Sequence, residues 1–296
     1  MKAKYAKPFL GVRDQVQLLE QRGLDIDVPR AEAEAFLETV NYYRFTGYAI
    51  PFLVNREKFH RGTKFSLIRD VYSFDRRLRH FLFDALEAVE LTFRTFLARE
   101  IGCRYGPLGY LDTSIVNDFT EHAGFIGRVG AEFGRSDEQC SRHFRDRYFA
   151  PPVWSVVETA SFGTLVRFYR NLHIQDQNAV STKYGMRGDF LASYMQHAGV
   201  LRNLCAHHAR IYDRRYSYLF NPLPQWKKAG VVNTGKLFYQ CALAYRLLMP
   251  TAPVVFDRDH WKRELSTHLA TLPRSPVRDL FLLTAVPKAP FASPLW

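Results

Sequence analysis

The 296-residue chain has only four cysteines, Cys103, Cys140, Cys205 and Cys241, and no two of them form a CxxC pair. That absence argues against a zinc ribbon and against a disulfide framework, and it fits a reducing compartment. No run of about 18 uncharged apolar residues occurs, so no transmembrane helix is expected. The opening Met1-Lys2-Ala3-Lys4-Tyr5-Ala6-Lys7-Pro8 is basic but has no apolar core or cleavage signal, so export is not expected and the cytoplasm is the expected location. Internal repeats are missing, and so are alternating apolar stretches, apart from the short Val254-Val255-Phe256 segment.

Acidic residues are also in short supply. Forty-one lysines and arginines face 29 acids, for a net charge of +12. Arginine outnumbers lysine by roughly three to one. Its planar fork is the better bidentate partner for phosphate, so a polyanion such as nucleic acid is the expected partner. The plainer reading is a basic globular protein. A hydrophobic fraction of 47% is enough for a full core and excludes disorder.

Punctuation and periodicity predict helices throughout. Residues 12–22 form a helix closed by Gly23, and a second follows with Asp27 as cap and Pro29 in its first turn, running to about Thr39. Asn41-Tyr42-Tyr43-Arg44-Phe45-Thr46-Gly47-Tyr48 reads as a helical turn that packs tyrosines inward while Arg44 snorkels, with base stacking as the alternative. From Leu67 to Ile101 no Pro or Gly intervenes. Apolar residues recur there at Val71, Phe74, Leu78, Phe81, Ala85, Val89, Phe93 and Phe96, which marks a long amphipathic helix. Arg76, Arg77, Arg79 and His80 cluster on it, either as a solvated face or as a contact for RNA backbone.

Gly106-Pro107 ends that helix. Weaker helices are expected over 115–133 and 137–149, then over 154–160 and 165–172. A central helix capped by Asp189 covers 190–212. Further helices are expected at 234–249, 258–271 and 276–284, before a proline-rich tail. The fold class is therefore all-α, a multi-helix bundle built around the pair 67–101 and 190–212. The expected parts are an N-terminal helical segment (1–62), a core (63–220), a C-terminal helical segment (221–286) and the tail (287–296).

The functional signal lies in Leu201-Arg202-Asn203-Leu204-Cys205-Ala206-His207-His208-Ala209-Arg210. An arginine followed after four to six residues by a histidine also occurs at Arg167–His173 and Arg263–His268, so spacing alone says little. At about 100° per residue, Tyr194, His197, Leu201, Leu204, His208 and Ile211 form a buried seam, while Arg202, Asn203, Ala206, His207 and Arg210 share a polar arc. His207 is then the histidine for chemistry and His208 a packing residue with a second claim to catalysis. Cys205, His207 and His208 point in different directions, which disfavours zinc, and neither a metal nor a cofactor is expected.

Such a set can cleave RNA because the 2′-hydroxyl supplies the nucleophile. His207 would transfer protons, Arg202 would hold the charge developing on phosphorus, and Asn203 would orient either group. Arg210, Arg76, Arg77, Arg79 and Arg44 are candidate RNA contacts. One histidine performs both proton transfers with difficulty, and Arg202 and His207 stand about 140° apart on an ideal helix. A symmetric homodimer would bring a second copy of the site alongside.

Several motifs in order carry a resemblance. Asn41-Tyr42-Tyr43-Arg44, Tyr72-Ser73-Phe74-Asp75-Arg76-Arg77-Leu78-Arg79, Arg104-Tyr105-Gly106-Pro107, Pro152-Val153-Trp154, Ser161-Phe162-Gly163-Thr164-Leu165 and Arg202-Asn203-Leu204-Cys205-Ala206-His207-His208 are similar to those of bacterial abortive-infection proteins of the Abi D/F type. The similarity runs from Lys7 to about Arg214. That family resembles the HEPN group of all-α, commonly dimeric, metal-independent ribonucleases. The resemblance implies an endoribonuclease toxin of phage defence, controlled by a partner RNA or antitoxin. It assigns Arg202, Asn203 and His207 to the active site, with His208 as a second candidate. The alternatives are a non-catalytic RNA-binding module that holds a regulatory RNA, and a structural dimerisation protein.

Overall fold

The structure is a computed structural model that describes residues 4, 6, 8–55, 57–214, 216, 219–228, 235 and 237–273. The described residues are helical throughout, joined by turns and three isolated β-bridges, with no strand among them. Val254 and Val255 lie in a turn rather than a strand, because they follow Pro253 and are exposed with no chain segment to pair with among the described residues. The helix expected at 276–284 and the proline-rich tail lie outside the described residues.

The helices, in chain order, are α1 (Val12–Gln21), α2 (Arg30–Val40), α3 (Tyr42–Ala49), α4 (Phe65–Tyr105), α5 (Phe119–Arg135), α6 (Gln139–Arg147) and α7 (Val153–Thr159). They continue with α8 (Phe162–Asn171), α9 (Ile174–Ser181), α10 (Gly188–Ala206), α11 (Pro224–Lys228), α12 (Leu237–Leu247) and α13 (Arg258–Ala270). At 41 residues, α4 is about 60 Å long and forms the axis of the fold. Its Val71, Phe74, Leu78, Ala85, Val89 and Phe93 are buried, as the periodicity requires. It packs against α3, α7, α8, α9, α10, α12 and α13. One continuous core runs from Val16 to Leu272.

Several caps come from unexpected places. Asp27 does not cap α2. Its carboxylate instead accepts from the Ser66 amide (3.0 Å) and hydroxyl (2.6 Å). It thereby caps the first turn of α4 from the distant loop before α2. Asp189 lies inside α10 and makes no cap hydrogen bond. The Gly188 amide ahead of it donates to Asn178 Oδ1 at 2.8 Å. Gly188 is required there because a β-carbon would stand 2.5 Å from that of Gln177 on α9.

The C-terminal helices are fastened to the central pair. Trp261 Nε1 donates to the Phe81 carbonyl (2.8 Å), His268 Nε2 to the Phe74 carbonyl (3.0 Å), and buried His197 of α10 bonds to Gln240 of α12. His268 also stacks on Phe74, and burial pushes its imidazole below the ordinary value.

Candidate active site at the end of the central helix

The central helix is shorter than its sequence suggests. It stops at Ala206, and His207 is its C-cap. The His208 amide donates to the Cys205 carbonyl (3.1 Å) and the Ala209 amide to the Leu204 carbonyl (2.8 Å). Together these bonds form a Schellman turn. That turn needs a left-handed residue, and His208 supplies it at φ 56°. Glycine usually occupies such a position, as Gly23 does at φ 90° after α1. A side chain there costs about 1 kcal/mol. Other parts of the chain hold the strained turn in place. Arg44 of α3 donates through Nη1 to the His208 carbonyl at 2.5 Å.

The segment just beyond the turn is tied to a buried carboxylate. Asp75 of α4 is fully buried and accepts from the Tyr212 amide (2.7 Å), the Ile211 amide (3.4 Å), the Tyr48 hydroxyl (2.6 Å) and Arg79 Nη1 (2.5 Å). Burial pushes the Asp75 carboxyl up, against the lowering effect of these donors. Arg79 also donates to Tyr48 Oη at 2.9 Å. An arginine read as part of a solvated cluster is therefore an internal strut, and Arg79 presents no guanidinium face for RNA. Arg76 and Arg77, its neighbours, are exposed and make no ion pair with another described residue.

Two further corrections follow from the early end of the helix. His208 is exposed on the turn and not buried in the apolar seam, because the chain leaves helical geometry one residue before it. Arg210 does not extend the polar arc of a helix. It is partly buried, 3.9 Å from Asp213, with Nη1 lacking a hydrogen-bond partner among the described residues. The upper seam stands: Tyr194, His197 and Leu201 are buried.

Arg202 occupies the middle of an ordered relay. On α7 and at its C-cap, the Val157 and Ala160 carbonyls accept from buried Arg94, which is held by the Glu90 carboxylate. The other oxygen of Glu90 lies 3.4 Å from Arg202 Nε. The Arg202 guanidinium also sits over the Phe83 ring, 5.7 Å from its centroid, and donates to Asn203 Oδ1 at 3.2 Å. The ring face attracts the cation electrostatically. The Arg202 side chain keeps 36% of its exposure, so one edge of a fixed cation faces solvent. Glu90 does not stand out in the sequence, since a glutamate inside an amphipathic helix reads as surface. The signal that could have found it is the i, i+4 pair with Arg94 on the apolar side of α4.

The histidines separate by the state of their rings. His173 uses both nitrogens, on Asn117 Oδ1 (2.9 Å) and the Ser114 carbonyl (3.1 Å), and His268 is buried and bonded to Phe74. Both decoy Arg–His spacings thus end on structural histidines. The His207 ring is exposed and makes no hydrogen bond to another described residue.

Three of the ordered motifs meet here: Asn41–Arg44, Tyr72–Arg79 and Arg202–His208. Asn41, with φ 70°, caps α3 so that Arg44 reaches the turn. Tyr48, Asp75 and Arg79 clamp residues 211 and 212, and the end of α7 supports Arg202 through Arg94 and Glu90. Arg104 Nη1 and Tyr105 Oη both donate to Asp176 Oδ1, at 2.9 and 2.8 Å, joining the end of α4 to α9. Among the described residues, no helix is long and apolar enough to cross a membrane. No curated protein and no solved structure matches the chain. The family described as Abi-like protein matches residues 35–213, which span the arginine cluster, the Asp75 clamp and the Arg202–His208 stretch. The chain belongs to this abortive-infection family, and that membership connects it with phage defence.

Proposed function

We propose that the protein is a metal-independent endoribonuclease toxin of the HEPN type. The observation that carries this reading is a fixed, partly exposed guanidinium followed five residues on by an exposed imidazole that makes no hydrogen bond to another described residue. Arg202 is held from behind by Glu90 and over Phe83, so its donors are oriented before any substrate arrives. Charge building on a phosphodiester in the transition state would meet donors that need no reorganisation. Asn203 Oδ1 takes one donor of Arg202, and its amide nitrogen remains to bind a phosphate oxygen. His207 would exchange the proton of the attacking 2′-hydroxyl or of the leaving 5′-oxygen. The homodimer expected from the sequence is part of this proposal, and sedimentation as a monomer at working concentration would remove it.

The test is RNA cleavage by purified protein in excess EDTA, with 2′,3′-cyclic phosphate and 5′-hydroxyl ends as the expected products. Arg202→Ala should lower the rate about 10²–10³-fold, the usual cost of one preorganised oxyanion donor. RNA that stays intact with the wild type would overturn the enzyme reading. Exposed Arg76 and Arg77 favour the second reading, a non-catalytic RNA-binding module, in that event. It predicts salt-dependent binding without cleavage, and His207→Ala would then be harmless.

A further inference from the structure

The proposed reaction needs two proton transfers, and α4 carries a second exposed histidine, His80, one turn before the Phe83 ring that Arg202 covers. We propose that His80 is the other acid–base group of the site, acting with His207 of the same chain; this rests on the ribonuclease reading above. The placement follows from two sets of contacts. Arg202 meets α4 at Glu90 and Phe83, while Ile211 and Tyr212 meet it at Asp75. The chain from 202 to 212 therefore runs back along α4 from Glu90 towards Asp75. His207 lies between those anchors on the returning segment, and His80 lies between them on α4.

The helical phase places His80 with the Arg202 anchors. At about 100° per residue, Glu90, Phe83, Arg76 and His80 fall within an arc of about 80° on α4, with Asp75 about 60° beyond Glu90 on the side away from His80. Two members of that arc, Glu90 and Phe83, are the groups that Arg202 touches. His80 is one turn from Phe83 and so about 5–6 Å from it at the β-carbons. Its side chain is exposed, and its ring makes no hydrogen bond to another described residue. The charged groups flanking it one turn away on its own helix are Arg76, Arg77 and Asp84. Arg76 and Arg77 would draw the RNA backbone across the same face.

In the step, one imidazole removes the 2′-hydroxyl proton as the 2′-oxygen attacks phosphorus. The bond from phosphorus to the 5′-oxygen breaks, and that oxygen takes a proton from the other, protonated imidazole. The products are a 2′,3′-cyclic phosphate and a 5′-hydroxyl, and both histidines end with their charges exchanged. Solvent then resets them.

The test compares wild type, His80→Gln and His207→Gln in single-turnover cleavage of two RNAs. One is ordinary; in the other a sulfur replaces the bridging 5′-oxygen, and a thiolate leaves without needing a proton. Each variant should cut the ordinary RNA at least about 100-fold more slowly than wild type. On the sulfur substrate, the variant lacking the acid should recover most of the wild-type rate, while the variant lacking the base stays slow. Because both side chains are exposed, both variants should melt at the wild-type temperature. A His80→Gln protein that cuts ordinary RNA at the wild-type rate overturns the proposal, as does failure of the sulfur substrate to rescue either variant. If wild type leaves both RNAs uncut, the ribonuclease reading itself fails and the His80 role with it.

Discussion

At His208 a side chain occupies a backbone conformation that favours glycine, at the point where the central helix turns towards the site. Relief of that conformation should be measurable. His208→Gly is expected to raise stability by about 0.5–1 kcal/mol in urea denaturation, even after the added freedom of the unfolded chain, because the left-handed cost is larger. The same variant separates the two adjacent histidines, since cleavage should persist in it; loss of cleavage would transfer the chemistry from His207 to His208. This turn was not legible in the sequence. A Gly or Pro after Ala206 would have ended the helix on paper, but two histidines leave the periodicity unbroken to Ile211. Arg79 was obscured for a related reason: Asp75 and Arg79 at i, i+4 read as a surface pair, and only the approach of α3 encloses them.

Between elements, the Asp75 cluster couples three parts of the chain, α3 through Tyr48, α4 through Arg79, and the segment after α10 through two amides. Asp75→Ala leaves Arg79 buried without its carboxylate and should cost about 3–5 kcal/mol, read from the urea midpoint. A loss below about 1 kcal/mol would mean the clamp is incidental. The docking of α13 carries a pH signature. Burial holds the folded His268 imidazole below its ordinary value, so the unfolded chain binds the proton more readily. Its contribution is complete above about pH 6.5 and is lost as pH falls from there through the folded value. His268→Gln should therefore show a smaller drop in Tm between about pH 7 and about pH 5 than wild type does; equal drops would place the titration elsewhere. Long elements were easy to read, and α4 falls within a few residues of its expected bounds. The eight-residue α9, Ile174-Gln175-Asp176-Gln177-Asn178-Ala179-Val180-Ser181, was missed because it is mostly polar and shows little amphipathic bias.

Over the whole molecule, a charge of +12 gives long-range attraction to a polyanion, and the site lies beside the exposed Arg76 and Arg77. If these two contact phosphates, each replacement by alanine should reduce the slope of log affinity against log salt by about 0.7 for single-stranded RNA, equally across sequences. An unchanged slope would put the RNA elsewhere on the surface. Composition disclosed the helical class and the basic field, and the ordered motifs disclosed the family. That Arg44 and Asp75 both hold the chain just beyond Ala206 was not legible, because it depends on contacts between residues as far apart as Arg44 and His208. The measurement that bears most directly on the central claim is the sequencing of RNA ends after induction of wild type, Arg202→Ala and His207→Ala in parallel. A metal-independent ribonuclease acting through Arg202 and His207 leaves new 2′,3′-cyclic phosphate and 5′-hydroxyl ends with wild type alone, whereas the same ends in all three, or in none, would rule it out.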